Sequence, residues 1–481
     1  MATKVHIIGI CGTFMGGLAK LAKELGLHVQ GSDQNTYPPM STQLESLGIT
    51  LYEGYKADNV SDDVDIVIVG NTISRGNPEL EYVLKQGIQY TSGAQWLAEN
   101  ILHSRWVLAI AGTHGKTTTT SILAWILEYC DYQPGFLIGG VAENFNASAR
   151  LGDSSFFIIE ADEYDTAFSD KRSKFIHYRP RTLVVNNLEF DHADIFENIE
   201  AIQTQFHHLI KTIPENGQII FNADQKLIND TLQQGVWSEL CGFNIENNSH
   251  KETNVNDFQS DSQLRFSIRA INQDGSRFSV FYEDSISKQQ QRFEGKWELI
   301  GLHNLNNAVA AIAAAHHVGV PIDQACLALA EFKSVKRRLE LKGQVNGISV
   351  YDDFAHHPTA IRTTIQALKS KIGEERLIAV IEPRSNTMKL GTHKGDITQA
   401  ITQADQCYFL ISNDVQWDTR FLKSDTCFIY HDVNELISEL ESISRPYDHI
   451  LMMSNGDFAN IHNCLLSALA LKKYQSDKQI T

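Results

Sequence analysis

Ala111-Gly-Thr-His-Gly-Lys-Thr-Thr118 follows the apolar run Trp106-Val-Leu-Ala-Ile-Ala111 and opens a helical stretch from Lys116 to about Tyr129. Strand, glycine turn and helix in this order bring backbone N–H groups and a helix N-terminus together on an anion. Lys116 is then placed to reach the β- and γ-phosphates of a nucleotide, and the Thr117 hydroxyl to ligate magnesium. The general pattern GxxxxGK[ST] asks for glycine where this chain has Ile110, so the segment is a variant phosphate loop within an α/β unit. The plain alternative is an ordinary strand-to-helix turn.

Two apolar strands downstream end in acidic residues: Ile158-Ile-Glu160-Ala-Asp-Glu163 and Val185-Asn-Asn-Leu-Glu189-Phe-Asp191-His192. Strand C-termini are where ligands gather on a parallel sheet, and magnesium requires hard oxygen donors of this kind. Acidic residues are also common in solvated loops, so it is their company with the phosphate loop that makes them candidates. Histidine is an unusual magnesium ligand, and His192 alone reads as a loop or core residue satisfied by hydrogen bonds.

From Lys4 to about Ser104 a strand (Val5 to Ile10), a glycine-rich turn, a helix (Gly16 to Leu25) and strands at Val29 to Gly31 and Asp65 to Gly70 predict a small parallel α/β unit. Alanine-rich Asn307 to His316 predicts a helix, stopped by Gly319-Val-Pro321. Between about Glu246 and Gln291, alternation in Leu264-Arg-Phe-Ser-Ile and Arg277-Phe-Ser-Val-Phe-Tyr predicts antiparallel strands away from the chemistry. A third α/β unit opens near Lys336, with strands at Ser349 to Tyr351, Leu377 to Ile381, Gln406 to Ile411 and His449 to Met453. A chain of 481 residues suggests about three domains, with expected boundaries at 1–105, 106–335 and 336–481.

A net charge of −17 repels nucleic acid and anionic membranes, and no basic patch offsets it. Small anions held by N–H groups, single cationic side chains and metal ions are the ligands this leaves. Hydrophobic and charged contents of 42% and 21% are ordinary for a globular chain and argue against wholesale disorder. No run of about 18 apolar residues is present, and Met1-Ala2-Thr3-Lys4 lacks a signal-peptide pattern. The expected location is the cytoplasm. Seven cysteines without paired spacing argue against a disulfide framework or a CxxC metal knuckle.

Gly112-Thr-His-Gly-Lys-Thr117, Glu160-Ala-Asp-Glu163, Asn187-Leu-Glu-Phe-Asp-His192, Gly301-Leu-His-Asn-Leu-Asn-Asn307, Lys336-Arg-Arg-Leu-Glu340 and Asp352-Asp-Phe-Ala-His-His-Pro358 span all three units. In these motifs and their order the chain resembles the Mur ligases of peptidoglycan metabolism. The resemblance implies an α/β protein with a Rossmann-like N-terminal domain for a UDP-sugar, a P-loop-type central ATPase domain and a Rossmann-like C-terminal domain for the amino substrate. It implies ATP and Mg2+ as cofactors, and an ADP-forming ligase that activates a carboxylate as an acyl phosphate and hands it to an amine. By the same resemblance Thr117, Glu160 and His192 ligate the metal. Gly112, Thr113, His114, Gly115, Lys116, Thr117, Thr118, His303, Asn304, Asn307, Arg338 and Asp353 surround ATP. Lys116, Glu160 and His192 are catalytic candidates together with His356 and His357, which either meet the amine or are structural.

The segment His6-Ile-Ile-Gly9-Ile-Cys-Gly12-Thr-Phe-Met-Gly16, with Gly31-Ser-Asp33, is similar to the family's uridine-nucleotide site. This makes Gly9, Cys11, Gly12, Thr13, Phe14, Met15, Gly16, Asp33, Asn71, Thr72 and Ser92 candidates for the UDP-sugar. The spacing is not GxGxxG, which with the second phosphate loop argues against a dinucleotide dehydrogenase. Phe168-Ser-Asp-Lys-Arg-Ser-Lys-Phe-Ile-His-Tyr-Arg-Pro180 and Ile381-Glu-Pro-Arg-Ser-Asn-Thr-Met-Lys389 are similar to the recycling branch of the family. That branch joins UDP-N-acetylmuramate to the tripeptide L-alanyl-γ-D-glutamyl-meso-diaminopimelate. Arg384, Ser385, Asn386, Lys389 and Asn455 are the peptide candidates, since a tripeptide rich in carboxylates calls for cationic anchors; a solvated loop is the alternative. These two small molecules are the expected partners, without nucleic acid or membrane. Three rivals are a ligase adding a single L-alanine to the same sugar, a silent nucleotide-binding regulator, and a simple kinase, the last weakened by the His303 to Asn307 motif.

Two departures stand out. Where several family members carry a carbamoylated lysine, this chain reads Ala201-Ile-Gln-Thr-Gln-Phe-His-His208, leaving Gln203 or Gln205 in its place. Ser454-Asn-Gly-Asp457-Phe-Ala459 replaces an expected glycine-rich run.

Overall fold

Short apolar runs bounded by glycine and polar residues become strands buried on both faces, the composition of parallel sheets covered by helices. The computed structural model describes residues 3–36, 40–246 and 263–472. Strands β1 (Lys4–Ile8), β2 (His28–Asp33), β3 (Thr50–Glu53), β4 (Ile66–Val69) and β5 (Tyr90–Ser92) pair in parallel in the order β3-β2-β1-β4-β5. The order reverses between β1 and β4, so the carboxyl ends of those strands border a crevice.

The second sheet has ten strands among the described residues. Its parallel centre is β14 (Glu239–Ile245), β13 (Gln218–Asn222), β12 (Thr182–Val185), β6 (Trp106–Ala111), β9 (Phe156–Ala161) and β7 (Gly135–Ala142), in that order. One edge is extended by β15 (Leu264–Ala270), parallel to β14, and then by antiparallel β16 (Arg277–Glu283) and β17 (Gln290–Lys296). The other edge is closed by antiparallel β8 (Ala147–Arg150). A small hairpin of β10 (Asp165–Ala167) and β11 (Asp170–Ser173) stands apart. The third sheet runs β18-β19-β23-β20-β21-β22, built from Glu340–Val345, Ile348–Asp353, His449–Met453, Leu377–Ile381, Gln406–Leu410 and Cys427–Tyr430; its β18–β19 pair is antiparallel and its other described pairs are parallel.

The cores divide unevenly. Val5, Ile7 and Leu18 of the first unit share one apolar cluster with Val107, Leu137 and Phe157 of the second. At that seam a Cβ on Gly17 would fall 2.3 Å from Leu137 Cδ1, so glycine lets the Thr13–Glu24 helix lie this close without displacing the leucine. The third unit has its own clusters, one around Ile365 and Leu451 and one around Val350 and Leu465.

The Lys116–Tyr129 helix and strands β20 and β23 have the expected bounds. The alanine-rich helix starts earlier, at Leu302, behind Gly301 at φ 93°. Strands β3, β5, β13, β14, β17, β18 and β22 and the β7–β8 and β10–β11 hairpins went unread; β3 and β5 are short edges, and the glycine pair of β7 breaks its apolar pattern. Residues 247–262 of the segment read as peripheral lie outside the described residues. Among the described residues no helix is long and apolar enough to cross a membrane.

Candidate active site

A cavity of about 960 Å³ opens where the three units meet, with Phe14, Lys116, Glu160, Asn187, Arg338 and His356 in its wall. The phosphate loop lies at its floor. Gly112 has φ 143° and a Cβ there would sit 3.1 Å from the Asn187 carbonyl; Gly115, at φ 77°, has Asn307 Oδ1 2.4 Å from where its Cβ would be. Asparagines therefore support the loop from behind. Asn187 Oδ1 accepts from the His114 N–H at 2.7 Å and its amide donates to the His114 carbonyl at 2.9 Å. The Asn186 amide donates to Asn307 Oδ1 at 2.8 Å, and Asn307 in turn donates to Asn304 at 3.3 Å. Thr113 exchanges hydrogen bonds with the Glu189 backbone, and Thr118 is buried in the helix's first turn.

Lys116 Nζ donates to the Gly112 carbonyl at 2.6 Å and to Glu163 Oε2 at 3.0 Å. Burial, which alone would lower the ammonium pKa, is outweighed by Glu163, Asp162 and Glu160, so it is raised. On Glu163 burial works the other way and is outweighed by Lys116 and His192, which hold the carboxyl down at about 2. His192 Nε2 is 3.2 Å from Glu163 Oε1, and its backbone is held at φ 55°, a conformation uncommon for a non-glycine residue.

Thr117 Oγ1 donates to Glu160 Oε1 at 3.1 Å, and the other Glu160 oxygen accepts from the Gly139 N–H at 2.8 Å. Burial and the neighbouring Asp162 raise the Glu160 pKa, the mark of a site short of positive charge. A hydroxyl and carboxylate in such surroundings are hard-oxygen chemistry that fits magnesium. His192 is brought to Glu163 rather than to this pair. Of the two glutamines in the place of a modified lysine, Gln203 turns away to Leu227 and Thr231, whereas Gln205 accepts from Ser173, whose hydroxyl holds the Glu163 carbonyl.

From the third unit, Arg338 Nη2 donates to Thr117 Oγ1 at 3.2 Å. Asp353 spends both carboxylate oxygens on the Leu339 and Ala355 N–H groups, at 2.7 and 2.8 Å, and so shapes the turn that presents Arg338. Burial and Arg338 hold His303 down at about 4, while the Asn304 amide is occupied by the Ile300 carbonyl at 2.8 Å. Burial also lowers His356 to about 4, and burial with His114 lowers His357 to about 3.

At the first unit's crevice, Asp33 accepts from the Cys11 and Asn35 N–H groups at 2.9 and 3.2 Å and thereby sets the glycine turn after β1. Burial and Asp33 push the Cys11 thiol up to about 11. Gly9 adopts φ 82° and Gly12 caps the Thr13–Glu24 helix. A Cβ on Gly16 would meet Met40 Sδ at 2.4 Å. Thr13 and Phe14 reach the cavity, whereas Met15 is buried in the core beside Gly93. Asn71 and Thr72 follow the end of β4, and the Ser92 hydroxyl caps the Gly93–Asn100 helix by accepting from Gln95 N–H.

The peptide candidates gather at the carboxyl ends of β20 and β23. Arg384 Nη1 pairs with Asp457 at 2.8 Å, Ser385 caps the Asn386–Leu390 helix, and Asn386 donates to Asp194 of the central unit at 2.8 Å. Lys389 pairs with Asp414 at 2.6 Å, and Asn455 Oδ1 is buried without a partner among the described residues. The turn after Gly456 carries Phe458, Ala459 and Asn460 at φ 49°, 47° and 57°, where a glycine-rich run would have been unstrained.

Glu163, Glu189 and Gly139 take positions in the site that motif reading did not assign. Glu163 and Glu189 stood inside quoted motifs but could be given partners only in three dimensions. The Gly139-Gly140 pair inside an apolar strand was the one available signal for β7: a Cβ on Gly139 would lie 2.6 Å from Glu160 Oε2.

Comparison with known proteins matches all three units to one family. The Mur ligase family catalytic domain matches residues 4–105, the Mur ligase middle domain residues 110–315, and the Mur ligase glutamate ligase domain residues 337–456. The chain is 50% identical to the UDP-N-acetylmuramate–L-alanyl-γ-D-glutamyl-meso-2,6-diaminoheptandioate ligase of Haemophilus influenzae, over 97% of this chain and 99% of that protein. It is 33% identical to the UDP-N-acetylmuramate–L-alanine ligase of Clostridium acetobutylicum, over 81% and 79% of the two chains. The crystal structure of a murein peptide ligase from Psychrobacter arcticus superposes with a TM-score of 0.74 at 44% identity, covering 98% of this chain and all of that one. With its three sheets each matched by a domain of the same family, and relatives aligned nearly end to end, the chain belongs to the Mur ligase family.

Proposed function

We propose that this chain joins the carboxylate of UDP-N-acetylmuramate to the alanine amine of L-alanyl-γ-D-glutamyl-meso-diaminopimelate, using ATP and releasing ADP and phosphate, in peptidoglycan recycling. The observation that carries the choice of amine is the 50% identity to a ligase named for that tripeptide, against 33% to one named for L-alanine. Cytoplasmic action follows from the same reading, as does a division at 1–105 for the UDP-sugar, 106–335 for ATP and 336–481 for the peptide.

The phosphate loop N–H groups and Lys116 would hold the β- and γ-phosphates, with the ammonium moving from Glu163 onto the transferring group. Thr117 and Glu160 would hold magnesium, with His192 at the neighbouring carboxylate. Such an ion neutralises phosphate charge and polarises the bond to be broken. Arg338, bonded to Thr117 across the seam, adds positive charge from the third unit and helps exclude water while the acyl phosphate exists. The amine then attacks the activated carbonyl and phosphate leaves. His356, neutral and buried, gives its Nδ1–H to the Phe354 carbonyl and can accept a hydrogen bond from that amine on Nε2, but lowered to about 4 it is a weak base, so it orients more than it removes a proton. His357 spends its Nδ1 lone pair on the Thr359 N–H and buries Nε2, so it faces its own helix and not the amine.

The test is phosphate release from ATP with UDP-N-acetylmuramate and either the tripeptide or L-alanine, with mass spectrometry of the products. Turnover with the tripeptide supports the reading. Turnover with L-alanine alone would move the enzyme to the biosynthetic reaction, and silence with both would favour a regulator.

A further inference from the structure

Beside the phosphate loop, and apart from Thr117 and Glu160, two histidines and a carboxylate converge from three distant stretches of chain. His114 lies in the loop, Glu189 follows β12, and His357 caps the Pro358–Ile372 helix of the third unit. One ligating atom from each can be taken so that all three lie within 4.8 Å of one another. His114 Nε2 is 3.2 Å and His357 Nδ1 3.5 Å from Glu189 Oε2. The two separations from Glu189 match the edge of a small coordination tetrahedron, about 3.3 Å for metal–ligand bonds of about 2.0 Å.

We propose that His114, Glu189 and His357 form a site for a zinc-class divalent transition-metal ion, distinct from the hard-oxygen site at Thr117 and Glu160. Two imidazoles and one carboxylate suit zinc or cobalt, whereas magnesium keeps to oxygen. The outer groups are also in place. Thr359 Oγ1 donates to Glu189 Oε2 at 2.8 Å and steadies the carboxylate. His357 Nδ1 accepts its helix-capping bond from the Thr359 N–H at a long 3.3 Å, and a metal on Nδ1 would take the place of that bond. With Nδ1 on a metal, the proton of His357 resides on Nε2, which is buried and has no hydrogen-bond partner among the described residues. A ligating histidine ordinarily hands that proton to a neighbouring acceptor. The ring of His393 stands 4.5 Å from that of His357, and its own buried Nε2 is likewise unpartnered.

The ligands straddle the seam between the central and third units, so an ion here would tie the phosphate loop to the peptide-side unit. Zinc would then act as a brake on turnover, by fixing the phosphate loop to the third unit.

The test is cobalt(II) titration of the full-length protein, with excess magnesium present to occupy oxygen sites. It is read by visible absorption and by X-ray absorption at the cobalt edge. The expected result is saturable one-to-one binding with two imidazoles in the inner shell. Glu189→Gln and His357→Ala, each checked by circular dichroism, should weaken it by more than about 100-fold, the upper end of what losing a supporting residue alone costs. Glu160→Gln should leave it unchanged. Fewer than two imidazoles around the wild-type ion would overturn the proposal, and this result does not depend on the variants folding. So would an absence of saturable binding, undiminished affinity in both seam variants, or loss of the site in Glu160→Gln.

Discussion

Lys116 is the residue whose place in the site was most legible, because Gly-Lys-Thr after an apolar strand has few other physical uses. Its partner was not legible. Glu163 sits two residues beyond the end of β9, and only the pairing of β6 with β9 brings it to 3.0 Å from Lys116. Replacing Lys116 with Ala should lower phosphate release by about 10³-fold, the scale of losing a principal electrostatic donor, while circular dichroism stays native. The Glu163 pair makes a further prediction in pH. Its folded value of about 2 lies below the ordinary 4.5. The stabilisation is therefore complete above about pH 4.5 and is lost as pH falls toward about 2. Urea unfolding of wild type and Glu163→Gln across that range should show a gap that narrows on acidification; a gap independent of pH would mean that the carboxylate charge is not what the site stabilises.

Among the elements, strands with uninterrupted apolar sequence, such as β6 and β20, could be read almost residue by residue. Strand β7 could not, and the reason is functional: its glycines keep side-chain volume out of the space that Glu160 and Thr117 use. Gly139→Ala should leave the fold intact, since the position has an ordinary strand conformation, yet push the Glu160 carboxylate aside. The magnesium concentration for half-maximal ATP turnover should rise by roughly tenfold, as when the support of a metal ligand is lost; an unchanged magnesium titration would separate Glu160 from the metal. The helix Ile199–Ile210 shows the same limit of sequence. Its glutamines are equivalent on paper, and only the fold turns Gln205 toward Ser173 and Gln203 toward Thr231.

For the whole molecule, the order of three α/β units was readable from alternating apolar runs, whereas the contacts between units were not, because they are made by polar residues in loops. Thr359 and Glu189, Arg338 and Thr117, and Asn386 and Asp194 each join the central and third units. Thr359→Val removes one charge-assisted hydrogen bond, of about 1.5–3 kcal/mol. It should reduce kcat/KM by about 10- to 100-fold without lowering the melting temperature, if the bond belongs to the closed, working arrangement. The seam between the first and central units is of another kind, a continuous apolar cluster through Gly17 and Leu137, while the third unit keeps its cores to itself. Unfolding must follow that division. A calorimetric scan should show two cooperative transitions rather than three, one for the first and central units melting as a single body and one for the third melting alone.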